Sequence, residues 1–216
     1  MTGVQTCALP ISKGLVVFVH GGYWISRDRS LWLHLAAGSV ARGWAVAMPS
    51  YTLCPEVSIA DITRQIASAI DFAADKIDGP IRIAGHSAGG HLVARMGCSD
   101  INLACVDRIE RIVSISGVHD LRPLLKTEMN ADFKMSLEDA VSESPALLMP
   151  REGLNITCWV GADERPEFVR QNDLLANIWS GFPVNISCVE AAGKNHFTVI
   201  NDLEIPNSPL TEVLVG

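Results

Sequence analysis

The chain has 216 residues, of which 48% are hydrophobic and 19% are charged, so it can bury one core of ordinary domain size and is too apolar for a disordered protein. Its formal net charge is −7 and no basic cluster interrupts it, which argues against a nucleic acid partner. No stretch approaches the roughly 20 apolar residues that a membrane span needs, so we expect a soluble protein with no membrane partner.

The first twelve residues, MTGVQTCALPIS, contain no charge and no secretory signal pattern. They resemble the translation of a common sequencing-library adaptor. We therefore expect residues 1–12 to be an artefactual tail and residues 13–216 to form a single domain. The alternative is a genuine tail without regular structure.

The remaining chain alternates between strand and helix patterns. The run LVVFV at residues 15–19 is β-branched, continuous and followed by His-Gly-Gly, which is typical of a strand buried on both faces. Apolar spacing predicts further strands at 44–48, 81–84, 109–115, 155–160 and 184–189, and helices at 27–42, 59–77, 89–96 and 166–179. This order predicts an α/β fold with a doubly wound, mostly parallel sheet.

The periodicity weakens between about residues 120 and 150, where Pro123, Pro145 and Pro150 separate short helical pieces. A long irregular segment of this kind often covers a binding site. We expect it to fold over one end of the sheet as a candidate lid.

A G-x-S-x-G motif, Gly85-His86-Ser87-Ala88-Gly89, lies directly between a predicted strand and a predicted helix. That context predicts a sharp turn that exposes a nucleophilic serine, Ser87. The loop His20-Gly21-Gly22 follows an earlier strand. The backbone N–H groups of Gly21, Gly22 and Ala88 are therefore candidates for an oxyanion hole.

A catalytic serine needs a base and an acid, which follow it in the order Ser, Asp/Glu, His in this architecture. Asp163 comes after the fifth predicted strand and His196 after the sixth, where the carboxyl ends of parallel strands meet. His196 is the candidate base. Asp163 is the leading candidate acid, with Glu164 and Glu167 as rivals.

Three further residues are candidates for substrate binding: Tyr23, Trp24 and His119. The aromatic side chains of Tyr23 and Trp24 could line a pocket for an aromatic substrate, although core packing explains Trp24 nearly as well. His119 follows the fourth predicted strand and could face that pocket.

The six cysteines lie in apolar stretches without any C-x-x-C pair. This spacing is typical of free thiols in a reducing compartment and predicts a cytoplasmic protein without a metal site. The candidate chemistry needs no cofactor.

The segments HGGYW, GHSAGGHL and GADERPEFVRQN together resemble the kynurenine formamidase (arylformamidase) branch of the α/β-hydrolase superfamily, close to the hormone-sensitive-lipase-like esterases. The resemblance implies hydrolysis of N-formyl-kynurenine to kynurenine and formate. Family members carry additional strands before the HGG strand, so we expect this chain to lack its N-terminal strands and to expose a sheet edge. The resemblance implies the same nucleophile, triad and oxyanion hole: Ser87, Asp163, His196, Gly21, Gly22 and Ala88.

The leading hypothesis is thus a serine hydrolase acting on a small acyl or formyl amide or ester. The alternatives are a broad carboxylesterase for short acyl esters and, from another class, a truncated and catalytically silent fragment. A noncatalytic binding module is the weakest alternative. The partner expected is a small-molecule substrate, and a homodimer is one candidate for the oligomeric state.

Overall fold

The structure, a computed structural model, describes residues 12–216 and contains a six-stranded, all-parallel sheet in the order β2-β1-β3-β4-β5-β6. The expected tail at residues 1–12 lies outside the described residues apart from Ser12. The strands are β1 Leu15–Val19, β2 Ala45–Ala47, β3 Ile81–His86, β4 Ile109–Ile115, β5 Asn155–Gly161 and β6 Asn185–Ala191. The α/β fold with a parallel sheet is confirmed.

Helices cover both faces of this sheet. They are α1 Ala37–Ala41, α2 Ile59–Ala74, α3 Ala88–Met96, α4 Asn130–Phe133, α5 Leu137–Ser142, α6 Pro166–Trp179 and α7 Pro209–Val215. Because side chains alternate along β1, Val17 packs in the core under α2 and α3, whereas Val16 packs in the opposite core under α7. Every residue of β1 is buried, as its continuous apolar run predicts.

Helix α2 shows how local sequence starts an element. The side chain of Ser58 accepts a hydrogen bond from the backbone N–H of Asp61, and the Asp61 side chain accepts one from the backbone N–H of Ser58. This capping box satisfies two N–H groups at the helix start. The isoleucines at positions 62, 66 and 70 then fall on one face and are fully buried.

The structure differs from the predicted elements in two places. The predicted helix at 27–42 is a 3₁₀ segment, Arg29–Ala36, followed by the short α1. In the 3₁₀ segment only Leu35 is buried, so there is little packing to enforce a regular α-helix. Helix α7 was not predicted, although Ser208 caps it and Pro209 occupies its first turn.

The segment 120–150 contains the 3₁₀ turns Arg122–Lys126 and Pro145–Leu147 as well as α4 and α5. It is tied to the loop after β4, because Ala146 N–H donates to the His119 carbonyl at 3.0 Å. Leu121 N–H donates to Ser144 Oγ at 2.8 Å within the same segment. Its role as a lid stays a prediction.

Within residues 12–216, no helix combines the length and the apolar character needed to cross a membrane. The five cysteines of this range are free thiols: Cys54, Cys98, Cys105, Cys158 and Cys188.

Candidate active site

Ser87 occupies a strained turn between β3 and α3, and we call this turn, residues 85–89, the elbow. Its backbone has φ 56° and ψ −116°, a conformation that L-residues rarely adopt. The neighbouring strand holds it there, because Ser87 N–H donates to the Ile115 carbonyl at 2.8 Å. Strain that the surrounding structure maintains is a common feature of catalytic sites.

The glycines of the motif allow the strand and the helix to approach this closely. A Cβ on Gly89 would lie 2.0 Å from the Val19 carbonyl oxygen, and a Cβ on Gly85 would lie 2.3 Å from the Gly89 carbonyl oxygen. Gly90 faces Gly117 in the same way, with 2.8 Å between a built Cβ and the Gly117 Cα. Any side chain at these positions would push the elbow apart.

The predicted oxyanion-hole loop lies against the serine. A Cβ on Gly21 would lie 3.1 Å from the Ser87 Cβ and 2.8 Å from the His86 carbonyl oxygen. The N–H groups of Gly21 and Gly22 donate to no acceptor among the described residues, and Ala88 is the first residue of α3. These N–H groups are therefore available to a ligand beside Ser87.

The structure corrects the predicted partner of His196. His196 Nδ1 lies 2.6 Å from Glu164 Oε2, and Asp163 makes no hydrogen bond to the ring. The turn after β5 is closed by a hydrogen bond from Glu164 N–H to the Gly161 carbonyl at 3.2 Å, which directs Glu164 inward and leaves Asp163 exposed. The other rival, Glu167, instead forms a two-bond ion pair with Arg170.

The Glu164 carboxylate accepts further hydrogen bonds besides its contact with His196. Its side chain is fully buried. Its Oε1 accepts hydrogen bonds from Ser116 Oγ at 2.5 Å and from Gly161 N–H at 2.8 Å. A buried carboxylate with this many donors is held in one orientation.

His196 is packed against three rings, those of Phe168, His86 and the adjacent Phe197, which is edge-on. Phe168 stacks on it with 4.0 Å between ring centroids, and His86 lies 4.6 Å away on the same measure. Burial lowers the pKa of His86 to about 3, so its ring is neutral. His86 Nε2 donates to the His196 carbonyl at 2.8 Å, which ties the residue before Ser87 to His196.

Ser87 Oγ makes no hydrogen bond to His196 in the described part of the chain. Such bonds are often long in ligand-free sites and tighten when substrate binds. The fixed contacts are the Glu164–His196 bond and the His86 bond that joins His196 to the elbow.

Two cavities beside His196 share a wall formed by Tyr23, Arg165 and Phe168. The histidine cavity, of about 310 Å³, contains His196 with Tyr23, Asp163, Glu164, Arg165, Phe168, Asn195 and Phe197. The apolar cavity, of about 300 Å³, lies under the segment 120–150 and includes Tyr23, Trp24, Leu124, Met129, Arg165 and Phe168.

The three predicted substrate-binding residues differ in where they lie. Tyr23 is 39% exposed and lines both cavities. Trp24 reaches the apolar cavity but is fully buried, with its ring edge-on to His91 and Phe133. It therefore has a core-packing role as well as a place in the wall.

The structure does not place His119 in either cavity wall. Its side chain is fully buried, with Nε2 3.4 Å from Ser114 Oγ, and burial lowers its pKa to about 3. Its backbone N–H donates to Gln171 Oε1, which fastens the loop after β4 to α6. The expected contact of His119 with the pocket is corrected to a buried packing position.

Three or more His, Cys, Asp or Glu side chains do not come together as a metal site anywhere in residues 12–216.

Comparison with known proteins places this arrangement in a family. Residues 10–151 match the BD-FAE family. The chain is 30% identical to a kynurenine formamidase of Danio rerio over 93% of this chain and 71% of the relative. A crystal structure described as a putative thioesterase from a Silicibacter species is 50% identical, with a TM-score of 0.90 over 95% of this chain and 77% of that one.

A more distant structure, Thermogutta terrifontis esterase 2, shares the fold with a TM-score of 0.73 at 18% identity, over 95% of this chain and 86% of that one. These matches agree with the six-stranded parallel sheet. The chain belongs to the BD-FAE family and is a kynurenine formamidase-like hydrolase of the α/β-hydrolase type.

Proposed function

We propose that this protein is a serine hydrolase that removes the formyl group from N-formyl-kynurenine or a closely similar aryl formamide. The serine hydrolase mechanism rests on the 2.6 Å contact between His196 Nδ1 and the buried Glu164 carboxylate, beside the strained Ser87 elbow. The choice of a formamide substrate rests on the 30% identity to a kynurenine formamidase. Asp163 has no place in the proposed triad. Ser87, His196 and Glu164 supply the nucleophile, the base and the orienting acid.

The reaction follows from these positions. Glu164 accepts the Nδ1–H of His196, which leaves Nε2 free to take the Ser87 hydroxyl proton. The serine oxygen then bonds to the formyl carbon, and the N–H groups of Gly21, Gly22 and Ala88 stabilise the resulting oxyanion. The C–N bond breaks as the leaving amine takes the proton from His196. Water, deprotonated by His196, then attacks the formyl-serine and releases formate while Ser87 recovers its proton.

The apolar cavity supports an aromatic substrate. Its walls combine the rings of Tyr23, Trp24 and Phe168 with the aliphatic side chains of Leu124 and Met129. At about 300 Å³ it falls at the small end of the range for small-molecule pockets. Leu124 and Met129 belong to the segment 120–150, which we propose acts as the lid over this cavity.

A second candidate function is hydrolysis of an ester or thioester. The structure at 50% identity is described as a putative thioesterase, and the same triad cleaves an ester by the same steps. This candidate includes the broad carboxylesterase for short acyl esters, which differs from a formamidase in pocket shape rather than in machinery.

We further propose a reducing, cytoplasmic location. It is supported by the five free thiols of the described chain.

The test is a comparison of kcat/KM for N-formyl-kynurenine, p-nitrophenyl acetate and a short acyl thioester. We expect N-formyl-kynurenine to be the best substrate, and Ser87→Ala to reduce its turnover by roughly 10⁴-fold or more. Ser68→Ala removes a hydroxyl from the exposed face of α2 and serves as the matched control.

Ester or thioester cleavage without deformylation would overturn the formamidase proposal and favour the second candidate. Turnover that survives Ser87→Ala would overturn the serine mechanism. A chain that cleaves none of the three substrates and unfolds without a cooperative transition would be the silent fragment.

A further inference from the structure

We propose that Arg165 binds the carboxylate of the substrate, so that the enzyme selects aryl formamides that carry an amino-acid group. This inference rests on the proposed formamidase function and adds to it a residue that determines specificity. Arg165 is not part of the proposed triad or oxyanion hole.

Arg165 lies at the boundary between the histidine cavity and the apolar cavity. It lines both the histidine cavity and the apolar cavity, as do Tyr23 and Phe168. The Phe168 ring stacks on His196, so this shared wall lies beside the proposed base. A substrate with its aromatic ring in the apolar cavity and its formyl group near His196 would lie against this shared wall.

The guanidinium of Arg165 is free to bind a ligand. Two other arginines in this region are occupied: Arg170 forms two hydrogen bonds to Glu167, at 2.7 and 2.8 Å, and Arg122 forms two to the Asp120 carboxylate, both at 2.9 Å. The Arg165 guanidinium forms no hydrogen bond or ion pair with any described residue, and the one hydrogen bond of Arg165 is made by its backbone carbonyl, which accepts from Phe168 N–H at 2.9 Å. Arg165 is exposed, so a ligand carboxylate can reach it without displacing a protein partner.

The backbone of Arg165 is held from both sides. Glu164 before it is fixed by His196, Ser116 and Gly161, and Pro166 after it opens α6. Proline fixes its own φ and restricts the residue before it to an extended conformation. The side chain therefore starts from a fixed point next to the triad, and its planar fork matches a carboxylate with two parallel hydrogen bonds.

The residue on the other side of Glu164 carries the opposite charge. Asp163 is exposed, lines the histidine cavity and has no ion-pair partner among residues 12–216. A zwitterionic amino-acid group can place its carboxylate at Arg165 and its ammonium at Asp163. A substrate without this group gains neither contact.

The experiment compares two formamides that share the same ring and the same scissile bond. N-formyl-kynurenine carries the amino-acid group, whereas 2′-formamidoacetophenone lacks it. Kinetics are measured for the unmodified chain, for Arg165→Gln, and for Lys126→Gln, which removes an equal charge from the exposed surface of the neighbouring segment 120–150.

We expect Arg165→Gln to raise KM for N-formyl-kynurenine about tenfold, because it removes a charge-assisted hydrogen-bonded pair from a site open to solvent. Its kcat for that substrate, and both constants for 2′-formamidoacetophenone, should stay within about twofold, and so should all constants of Lys126→Gln. Added NaCl should weaken the binding of N-formyl-kynurenine more than that of the neutral formamide.

Equal effects of Arg165→Gln on both formamides, or no effect on either, would overturn the assignment while leaving the formamidase function intact. Failure of the unmodified chain to cleave either formamide, with cleavage of p-nitrophenyl acetate retained, would instead overturn the proposed function and this inference with it.

Discussion

The carboxylate of Glu164 illustrates how a single residue acquires its role from its surroundings. Buried without partners, it would be protonated or would destabilise the fold. Here three donors, Ser116 Oγ, Gly161 N–H and His196 Nδ1–H, satisfy both oxygens. The same bonds that make burial tolerable also orient the His196 ring.

Substitutions of Glu164 and of its neighbour Asp163 should differ in their effect on turnover. Glu164→Gln should lower kcat by roughly 10³-fold or more, because an amide cannot both keep the Ser116 and Gly161 donors and stabilise a charged His196 ring. Asp163→Asn should leave turnover of a neutral ester within about threefold, since Asp163 is exposed and does not touch the ring. Steady-state kinetics with p-nitrophenyl acetate checks both.

A large loss in Asp163→Asn together with near-normal turnover in Glu164→Gln would contradict this assignment. Circular dichroism of both variants controls for misfolding.

At the residue scale, the sequence predicts the proposed catalytic residues only in part. The order of serine, acid and histidine was predictable because each follows a strand. The choice between Asp163 and Glu164 was not, because adjacent residues of one turn point in different directions. The hydrogen bonds of Gly161 and Lys194 that set this turn come from tertiary structure. The buried position of the His119 side chain was not predictable from the sequence for the same reason.

At the scale of elements, the elbow depends on strand β1 and helix α3 passing without a side chain between them. Gly89 lies at the contact, against the Val19 carbonyl oxygen. This contact is backbone against backbone, so neither side can give way by changing a rotamer.

Gly89→Ala should therefore destabilise the protein by about 3 kcal/mol or more and abolish detectable turnover, because the added Cβ would separate α3 from β1. Gly181→Ala is the control, since its Cβ would lie 3.5 Å from the Ile178 carbonyl oxygen and its backbone is unstrained. Urea unfolding followed by circular dichroism measures the free energy of unfolding of both variants. Equal stability of the two variants would show that the elbow is not close-packed.

Element prediction succeeded where burial produces a strong pattern and failed where it does not. Strands β1 and β4 and helix α6 agree with their predicted bounds, because long apolar runs and a helical face of core residues specify them. The 3₁₀ segment before α1 has only one buried residue, and α7 is only seven residues long. Neither segment is therefore able to show the helical repeat of apolar side chains in the sequence. The capping serine and Pro209 were the signal that could have found α7.

At the scale of the whole molecule, burial lowers the pKa of four histidines: His20, His86, His91 and His119. Burial lowers the pKa of His86, His91 and His119 to about 3 in each case. Unfolding exposes these rings to water, where their pKa returns to about 6.5. Between these two values the unfolded chain binds more protons than the folded one.

Stability should therefore be complete above about pH 6.5 and should fall as the pH decreases towards 3, with each buried histidine contributing up to about 1.4 kcal/mol per pH unit. His91→Gln should reduce this slope by about 1 kcal/mol per pH unit. Urea midpoints measured from pH 7.5 to pH 4.5 give the slope. A slope that is identical in the unmodified chain and in His91→Gln would contradict burial of a neutral His91.

The most direct test of the proposed serine nucleophile and its triad is covalent labelling of the whole chain with a fluorophosphonate, followed by peptide mass spectrometry. We expect one stoichiometric adduct, on Ser87, formed at a rate that Glu164→Gln reduces and Asp163→Asn does not. An adduct on another residue, or none on Ser87 in a preparation that turns over substrate, would contradict the proposal.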